Sequence, residues 1–135
     1  MRILIVEDDG PGQRLLMRYL SAHGECDIAA NGVQAVDAVK AALEEGQPYD
    51  LICLDITMPY MNGHEALAAI RAEENALGIG GHDGVKVIMI TSTNESAHIT
   101  EAFREGCEAY LVKPIDKVKL IEEIEKLGFA LSKVE

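Results

Sequence analysis

Short, continuously apolar runs recur along this chain of 135 residues, and longer amphipathic segments separate them. Three of the runs, Ile3–Val6, Leu51–Leu54 and Val87–Ile90, contain no charged or strongly polar side chain. Such strands are typical of a parallel sheet that helices cover on both faces. Two weaker runs, Cys26–Ala29 and Ala109–Val112, suit strands nearer the edges of the sheet. The alternation of strand and helix predicts an α/β fold built from βα units.

Five longer segments repeat their apolar residues at helical spacing. These residues are Leu15, Leu16, Tyr19 and Leu20; Val36, Val39 and Leu43; Leu67 and Ile70; Ile99, Ala102 and Phe103; and Leu120, Ile124 and Leu127. Asp116 is a candidate N-cap for the last helix, because its carboxylate can accept hydrogen bonds from the free amides of a first turn. Residues 75–84 include four glycines and predict an exposed loop, which is either a partner-binding loop or a tolerated surface excursion.

The composition limits the classes of partner. The net charge is −11, so the surface repels nucleic acid backbones and anionic membranes. No apolar stretch approaches the roughly 20 residues that span a bilayer, and the three cysteines show no CxxC spacing. We therefore expect one domain in a reducing cytoplasm, with no direct nucleic-acid binding and no membrane insertion.

Polar side chains follow the predicted strands at their carboxyl ends. Glu7 and Asp8 follow the first strand, Asp55 follows the third, and Lys113 follows the fifth. The carboxyl ends of parallel strands share one edge of a sheet, where open α/β sheets bind their ligands. Carboxylates gathered there repel one another, and their oxygens are the ligands that Mg²⁺ prefers. The pattern predicts a magnesium-assisted phosphoryl site in which Asp55 is the modified group.

Each of these signals also has a plainer interpretation. The acidic run at residues 7–9 is equally typical of a helix N-terminus, where the helix dipole favours it. Thr91 follows the fourth strand and could donate to a phosphoryl oxygen, but residues 91–94 also suit a turn. Lys113 precedes Pro114, and a cis bond between them would fix a turn that directs the ammonium inward. It is the ordered combination of these signals that favours a functional site.

In combination, these segments resemble the receiver domain of two-component response regulators. The segments that carry the resemblance are Ile3–Asp9, Leu54–Pro59 with Asn62 and Gly63, Ile90–Ser92, and Tyr110–Pro114. The likeness runs from about residue 2 to residue 128. It implies a flavodoxin-like (CheY-like) doubly wound sheet of five parallel strands in the order 2-1-3-4-5, with helices on both faces. It also implies a single receiver domain over residues 1–135.

The resemblance implies that Asp55 accepts a phosphoryl group from a sensor histidine kinase, a phosphotransfer protein or a small phosphodonor. Asp8 and Asp55 would bind Mg²⁺ directly, Glu7 mostly through water, and Thr57 through its backbone carbonyl. The domain would promote only its own phosphorylation and dephosphorylation, and it would not be an enzyme that acts on other substrates.

The same resemblance implies a switch. Thr91 and Lys113 would hold the phosphoryl oxygens, and Tyr110 would change rotamer as Thr91 moves inward. Pro114 would fix the conformation of the chain beside Lys113. The switch would act on the face formed by the fourth helix, the fifth strand and the fifth helix, where a downstream protein would bind.

Two features depart from the family pattern, one at a predicted metal ligand and one close to the metal ligands in the sequence. Glu7 stands where the family often has Asp. Residues 10–12, Gly-Pro-Gly, make a loose start to the first helix, because glycine weakens helices.

Three alternatives stay open from the sequence. An aspartyl-phosphate phosphatase would carry a second acid where this chain has Thr57, and a flavin-binding module would not place acids after its first strand. The chain could also be the receiver part of a longer regulator with an output domain, instead of the stand-alone receiver that its length favours.

Overall fold

The computed structural model describes residues 1–80, 83–92, 100–101, 103–104 and 106–131. Its elements are β1 (Arg2–Val6), α1 (Gly10–Leu20), β2 (Glu25–Ala29), α2 (Gly32–Glu44), β3 (Leu51–Asp55), α3 (Gly63–Ala76), β4 (Lys86–Thr91), β5 (Ala109–Val112) and α4 (Lys117–Lys126). All neighbouring strands pair in parallel, in the order β2-β1-β3-β4-β5. The predicted fold and strand order are therefore confirmed. Ile99 and Ala102, which mark the predicted fourth helix, lie outside the described residues. The helix labelled α4 is therefore the fifth helix of the sequence prediction.

The central strands are buried on both faces, as their unbroken apolar runs predict. Successive side chains of a strand point to opposite faces of the sheet. One face of the sheet, including Ile5 and Cys53, packs with α1 and α4 in a core of buried residues. The other, including Val6 and Leu54, packs with α2 and α3. Helices therefore cover both faces. None of the helices in the described part of the chain is long and apolar enough to cross a bilayer.

Local sequence signals fix where the helices begin, and α1 begins directly beside the acidic segment. The Asp9 carboxylate accepts from the Gly12 amide at 3.0 Å, and this caps α1. Asn62 and Glu65 form a reciprocal capping box at the start of α3. Asp116 occupies the N-cap position of α4, but among the described residues its side chain makes no capping hydrogen bond. The predicted position is correct, whereas the predicted bond is absent.

A cluster of charged side chains lies at the opposite end of the sheet from the acidic segment. Arg71 Nη1 donates to Glu74 Oε1 at 2.6 Å, and Arg71 Nη2 donates to Glu108 Oε1 at 3.0 Å. The two carboxylates also accept the backbone amides of Val85, at 2.7 Å, and Val87, at 2.6 Å. Burial raises the pKa of Glu108, and the Val87 amide together with the charges of Arg71 and Lys86 offsets part of that increase. These contacts hold the chain at Val85, directly after residues 75–84, which the sequence predicts to be an exposed loop. The helix α3 includes the first two residues of that predicted loop and ends at Ala76.

Candidate functional site

Three carboxylates converge at the carboxyl ends of β1 and β3. Val6 pairs with Leu54 in the register of these strands, so Glu7 and Asp55 follow at neighbouring positions. One oxygen of each of Glu7, Asp8 and Asp55 lies within 4.8 Å of the others. Glu7 and Asp55 are only 1% and 3% exposed, whereas Asp8 is exposed. The sequence-predicted acids therefore form one cluster with an open side.

The ammonium of Lys113 reaches this cluster from the end of β5. Its Nζ lies 3.3 Å from both oxygens of Glu7 and 3.5 Å from Asp55 Oδ2. Partial burial lowers the pKa of Lys113, but the charges of Asp55 and Glu7 outweigh this effect, and the net pKa is raised. The ammonium therefore stays charged. The Lys113–Pro114 bond is cis, which is the isomer that the sequence raised as a possibility.

The surroundings of Glu7 strongly perturb its pKa. Burial, followed by the hydrogen bond and charge of Asp55, raises the pKa of Glu7 from 4.5 to about 7, and Lys113 opposes part of this increase. One ammonium does not neutralise three carboxylates at this spacing. A small divalent cation would, and hard carboxylate oxygens are the ligands that Mg²⁺ takes. The donor set therefore fits Mg²⁺.

Backbone hydrogen bonds hold the carboxylate-bearing residues in place. The amide of Glu7 donates to the carbonyl of Ala29 at 3.1 Å, and Gln13 Nε2 donates to the carbonyl of Glu7 at 2.7 Å. The amide of Thr57 donates to Asp55 Oδ1 at 3.3 Å. Sequence reasoning missed Gln13, because a glutamine in the first turn of a helix gives no signal of a tertiary contact.

Thr91 and Tyr110 lie on the strands beside the cluster. Asp55 pairs with Ile90 in the register of β3 and β4, so Thr91 follows one position further on, where it is 1% exposed. The carbonyl of Thr91 accepts the amide of Lys113 at 2.6 Å. Tyr110 is half-buried in β5 and packs against the core on the α2 and α3 side. Both residues lie where a switch would need them, and their switch roles stay predictions. So does the role of the Thr57 carbonyl.

A cleft of about 490 Å³ opens beside the carboxylates, between the start of α1 and the chain that follows β5. Its lining includes Glu7 and Lys113 on one side and the apolar residues Leu15, Ile90 and Pro114. The cleft gives a second molecule an approach to the charged cluster over a mostly apolar surface.

The sequence of this chain matches a known protein family over most of its length. Residues 3–125 match the response regulator receiver domain family. The chemotaxis protein CheY of Listeria monocytogenes is 30% identical over 123 residues, which cover 91% of this chain and 95% of that protein.

Two solved structures extend the likeness to the fold. A chain of the CheX–CheY complex with BeF₃ and Mg²⁺ from Borrelia burgdorferi superposes with a TM-score of 0.82 at 25% identity, over 96% of this chain and 90% of that one. A chain in the complex of the Saccharomyces cerevisiae phosphotransfer protein Ypd1 with the receiver domain of Ssk1 gives 0.81 at 30% identity, over 95% and 88%. The protein belongs to the response regulator receiver domains of two-component signalling, which are signalling domains.

Proposed function

We propose that Asp55 accepts a phosphoryl group from the phosphohistidine of a kinase or a phosphotransfer protein, in a reaction that requires Mg²⁺. The observation that carries this proposal is the convergence of Glu7, Asp8, Asp55 and Lys113 at one edge of the sheet. In the transfer, an oxygen of Asp55 forms the new P–O bond while the P–N bond breaks, and its electron pair returns to the imidazole nitrogen. The carboxylate attacks in its charged form, so no general base is needed.

The residues of the site supply position and charge compensation. The amide of Thr57 holds Asp55 Oδ1, which orients the other oxygen towards Lys113. Asp8 and Asp55 would hold the metal directly, Glu7 through water, and the carbonyl of Thr57 would complete the protein ligands. Bound Mg²⁺ would screen the negative charge of the incoming phosphoryl group. The ammonium of Lys113 then pairs with a phosphoryl oxygen while it keeps its contact with Glu7.

The partner class follows from the chemistry and from the relatives. A phosphorylated histidine carries a labile P–N bond and suits such an aspartate as a protein donor, and one similar structure pairs a receiver with a histidine phosphotransfer protein. The exchange would take place in the cytoplasm, where the free cysteines of the chain stay reduced.

The output of the switch is part of the same proposal. A phosphoryl group on Asp55 would make contacts with Thr91 and Lys113 that the free site lacks, and this would bias the rotamer of Tyr110. Val112 on β5 and Val118 on α4 are 39% and 63% exposed, so the face beside Tyr110 offers apolar surface to a downstream protein.

Acetyl phosphate with Mg²⁺, followed by intact-mass measurement, tests the transfer. The wild type should gain one phosphoryl mass, and Asp55→Asn should gain none. Asp37→Asn, which changes an exposed acid on α2, should behave as the wild type. Equal labelling of Asp55→Asn, or equal labelling in EDTA, would contradict the proposal. Steady hydrolysis of a simple phosphate monoester would instead support the phosphatase alternative.

A Lys113→Ala variant tests the switch. It should remain folded and should uncouple phosphorylation from any change in the environment of Tyr110, as followed by the ring resonances of that residue. A normal response of Tyr110 in this variant would show that the signal takes another route.

A further inference from the structure

Gly12 lies in the first turn of α1, directly against the side chain of Glu7. A Cβ atom on Gly12 would lie 2.9 Å from Glu7 Oε1 and 3.0 Å from both Cδ and Cγ. Gly12 is helical, in a conformation that any L-residue adopts, so its backbone gives no reason for a glycine here. Glycine also weakens a helix relative to alanine. The space beside Glu7 is therefore the feature that this glycine supplies.

Glu7 has little freedom to move away from such an atom. Its amide is bonded to Ala29 and its carbonyl to Gln13, so its backbone is held from two sides. Its side chain is 1% exposed, and its carboxylate lies 3.3 Å from Lys113 Nζ. A methyl group on residue 12 would displace the carboxylate away from α1, and the Lys113 contact and the carboxylate cluster would be distorted.

We propose that Gly12 is a positioning residue, which leaves the space that the long side chain of Glu7 needs and so sets the place of that carboxylate in the metal site. The two departures of this chain from the family pattern, Glu7 and the loose start of α1, are then coupled to each other. This inference rests on the proposed binding of Mg²⁺ by the site.

The chain offers a matched control in the same turn. Among the described residues, a Cβ on Gly10 would meet only Arg14 Nη1, at 3.4 Å, which is an ordinary contact with the flexible end of a side chain. Gly10→Ala therefore tests the effect of alanine in this turn without the contact to Glu7. Glu7→Ala removes all three atoms that the new methyl group would approach.

The experiment measures thermal unfolding of Gly12→Ala and Gly10→Ala, each alone and combined with Glu7→Ala, in EDTA. In the wild-type background, Gly12→Ala should lower Tm by about 3 °C or more. In the Glu7→Ala background it should leave Tm unchanged or raised, because only the gain in helix propensity remains. Gly10→Ala should have the same effect in both backgrounds. An equal change in Tm from Gly12→Ala in the two backgrounds would overturn the proposal.

Titration with Mg²⁺, followed by the shift in Tm, gives the second readout. Gly12→Ala should weaken Mg²⁺ binding by about tenfold, the size of effect typical when a group that orients a metal ligand is altered, and Gly10→Ala should not change it. If the wild type binds Mg²⁺ and Gly12→Ala binds it equally well, this inference fails. If the wild type itself does not bind Mg²⁺, the proposed function fails. Should Gly12→Ala not fold, folding of the double variant with Glu7→Ala would support the inference, and its failure to fold would overturn it.

Discussion

Replacing Asp55 with asparagine removes one negative charge and nearly keeps the shape of the side chain. An oxygen of Asp55 lies within 4.8 Å of an oxygen of Glu7 and of one of Asp8. Two unit charges at that separation repel by about 3.5 kcal/mol at an effective dielectric constant of about 20. Asp55 lies beside two such carboxylates, so their combined repulsion is about 7 kcal/mol, and its attraction to Lys113, 3.5 Å away, offsets about 4.7 kcal/mol of this on the same basis. We expect Asp55→Asn to raise the free energy of unfolding by about 1–2 kcal/mol in EDTA, or Tm by about 3–6 °C.

In Mg²⁺, we expect the wild type to become more stable than Asp55→Asn, which is the reverse of their order in EDTA. A ligand at about 100 times its Kd stabilises the native state by about 2.7 kcal/mol, and the wild type should gain this amount. Asp55→Asn should gain much less, because it lacks one of the carboxylate ligands. The assay is urea unfolding in EDTA and in saturating MgCl₂, with the exposed Asp37→Asn as the charge-matched control. The control should stay within about 0.5 kcal/mol of the wild type in both buffers.

The pH dependence of the same experiment is a further check. Because the pKa of Glu7 is raised from 4.5 to about 7 in the folded state, that state binds the proton more tightly than the unfolded chain does. In EDTA, this stabilisation is fully present below pH 4.5 and is lost as the pH rises to about 7. Asp55→Asn should reduce this loss of stability between pH 4.5 and about 7, because the charge of Asp55 is one of the causes of the raised pKa of Glu7. If Asp55→Asn were less stable than the wild type in EDTA, or if Mg²⁺ stabilised both proteins equally, repulsion among the three carboxylates would not explain the stability of the site.

Three other substitutions test parts of the fold. Gly63→Ala should lower the free energy of unfolding by about 2–3 kcal/mol, measured by urea unfolding. The reason is that its Cβ would lie 2.6 Å from the backbone carbonyl oxygen of Asp55 in β3. An effect below about 0.5 kcal/mol would contradict this. Burial and the hydrogen bond to Asp27 raise the pKa of Tyr49 to about 12, so Tyr49→Phe should remove one phenol ionisation near pH 12 from a titration followed by ultraviolet absorbance. The stability from that raised pKa is present below pH 10 and is lost as the pH rises towards about 12. Arg71→Met should cost about 3 kcal/mol, since it leaves the buried Glu74 carboxylate without its cation; a neutral effect would show that the hydrogen bond from the Val85 amide to Glu74 suffices.

The strands and their order could be predicted because the signal is local and strong. Runs such as Ile3–Val6 are short and apolar at every position, which is typical of a strand buried on both faces. The weaker runs Cys26–Ala29 and Ala109–Val112 correctly indicated the edge strands β2 and β5. The convergence of the acids with Lys113 followed from the same reasoning, since each residue was placed at the carboxyl end of a strand.

Long-range polar contacts could not be predicted in this way. Arg71 and Glu74 look like an ordinary charged face of a helix, and nothing in the sequence connects them with Glu108, which directly precedes β5 and lies 37 positions after Arg71. The sequence placed Lys113 beside Asp55, but it did not indicate that the ammonium lies closer to Glu7. The role of Gly12 depends on a steric contact that exists only in the folded chain.

The most direct test of Mg²⁺-dependent phosphorylation at Asp55 is to locate the phosphoryl group on the chain. Borohydride reduces an aspartyl phosphate to homoserine, and trypsin should release residues 41–71 as one peptide, since no Lys or Arg lies between Lys40 and Arg71. After reaction with acetyl phosphate and Mg²⁺, we expect homoserine at residue 55 of that peptide, with Asp50 unchanged. Homoserine at another position, or at residue 55 to the same extent without divalent metal, would contradict it.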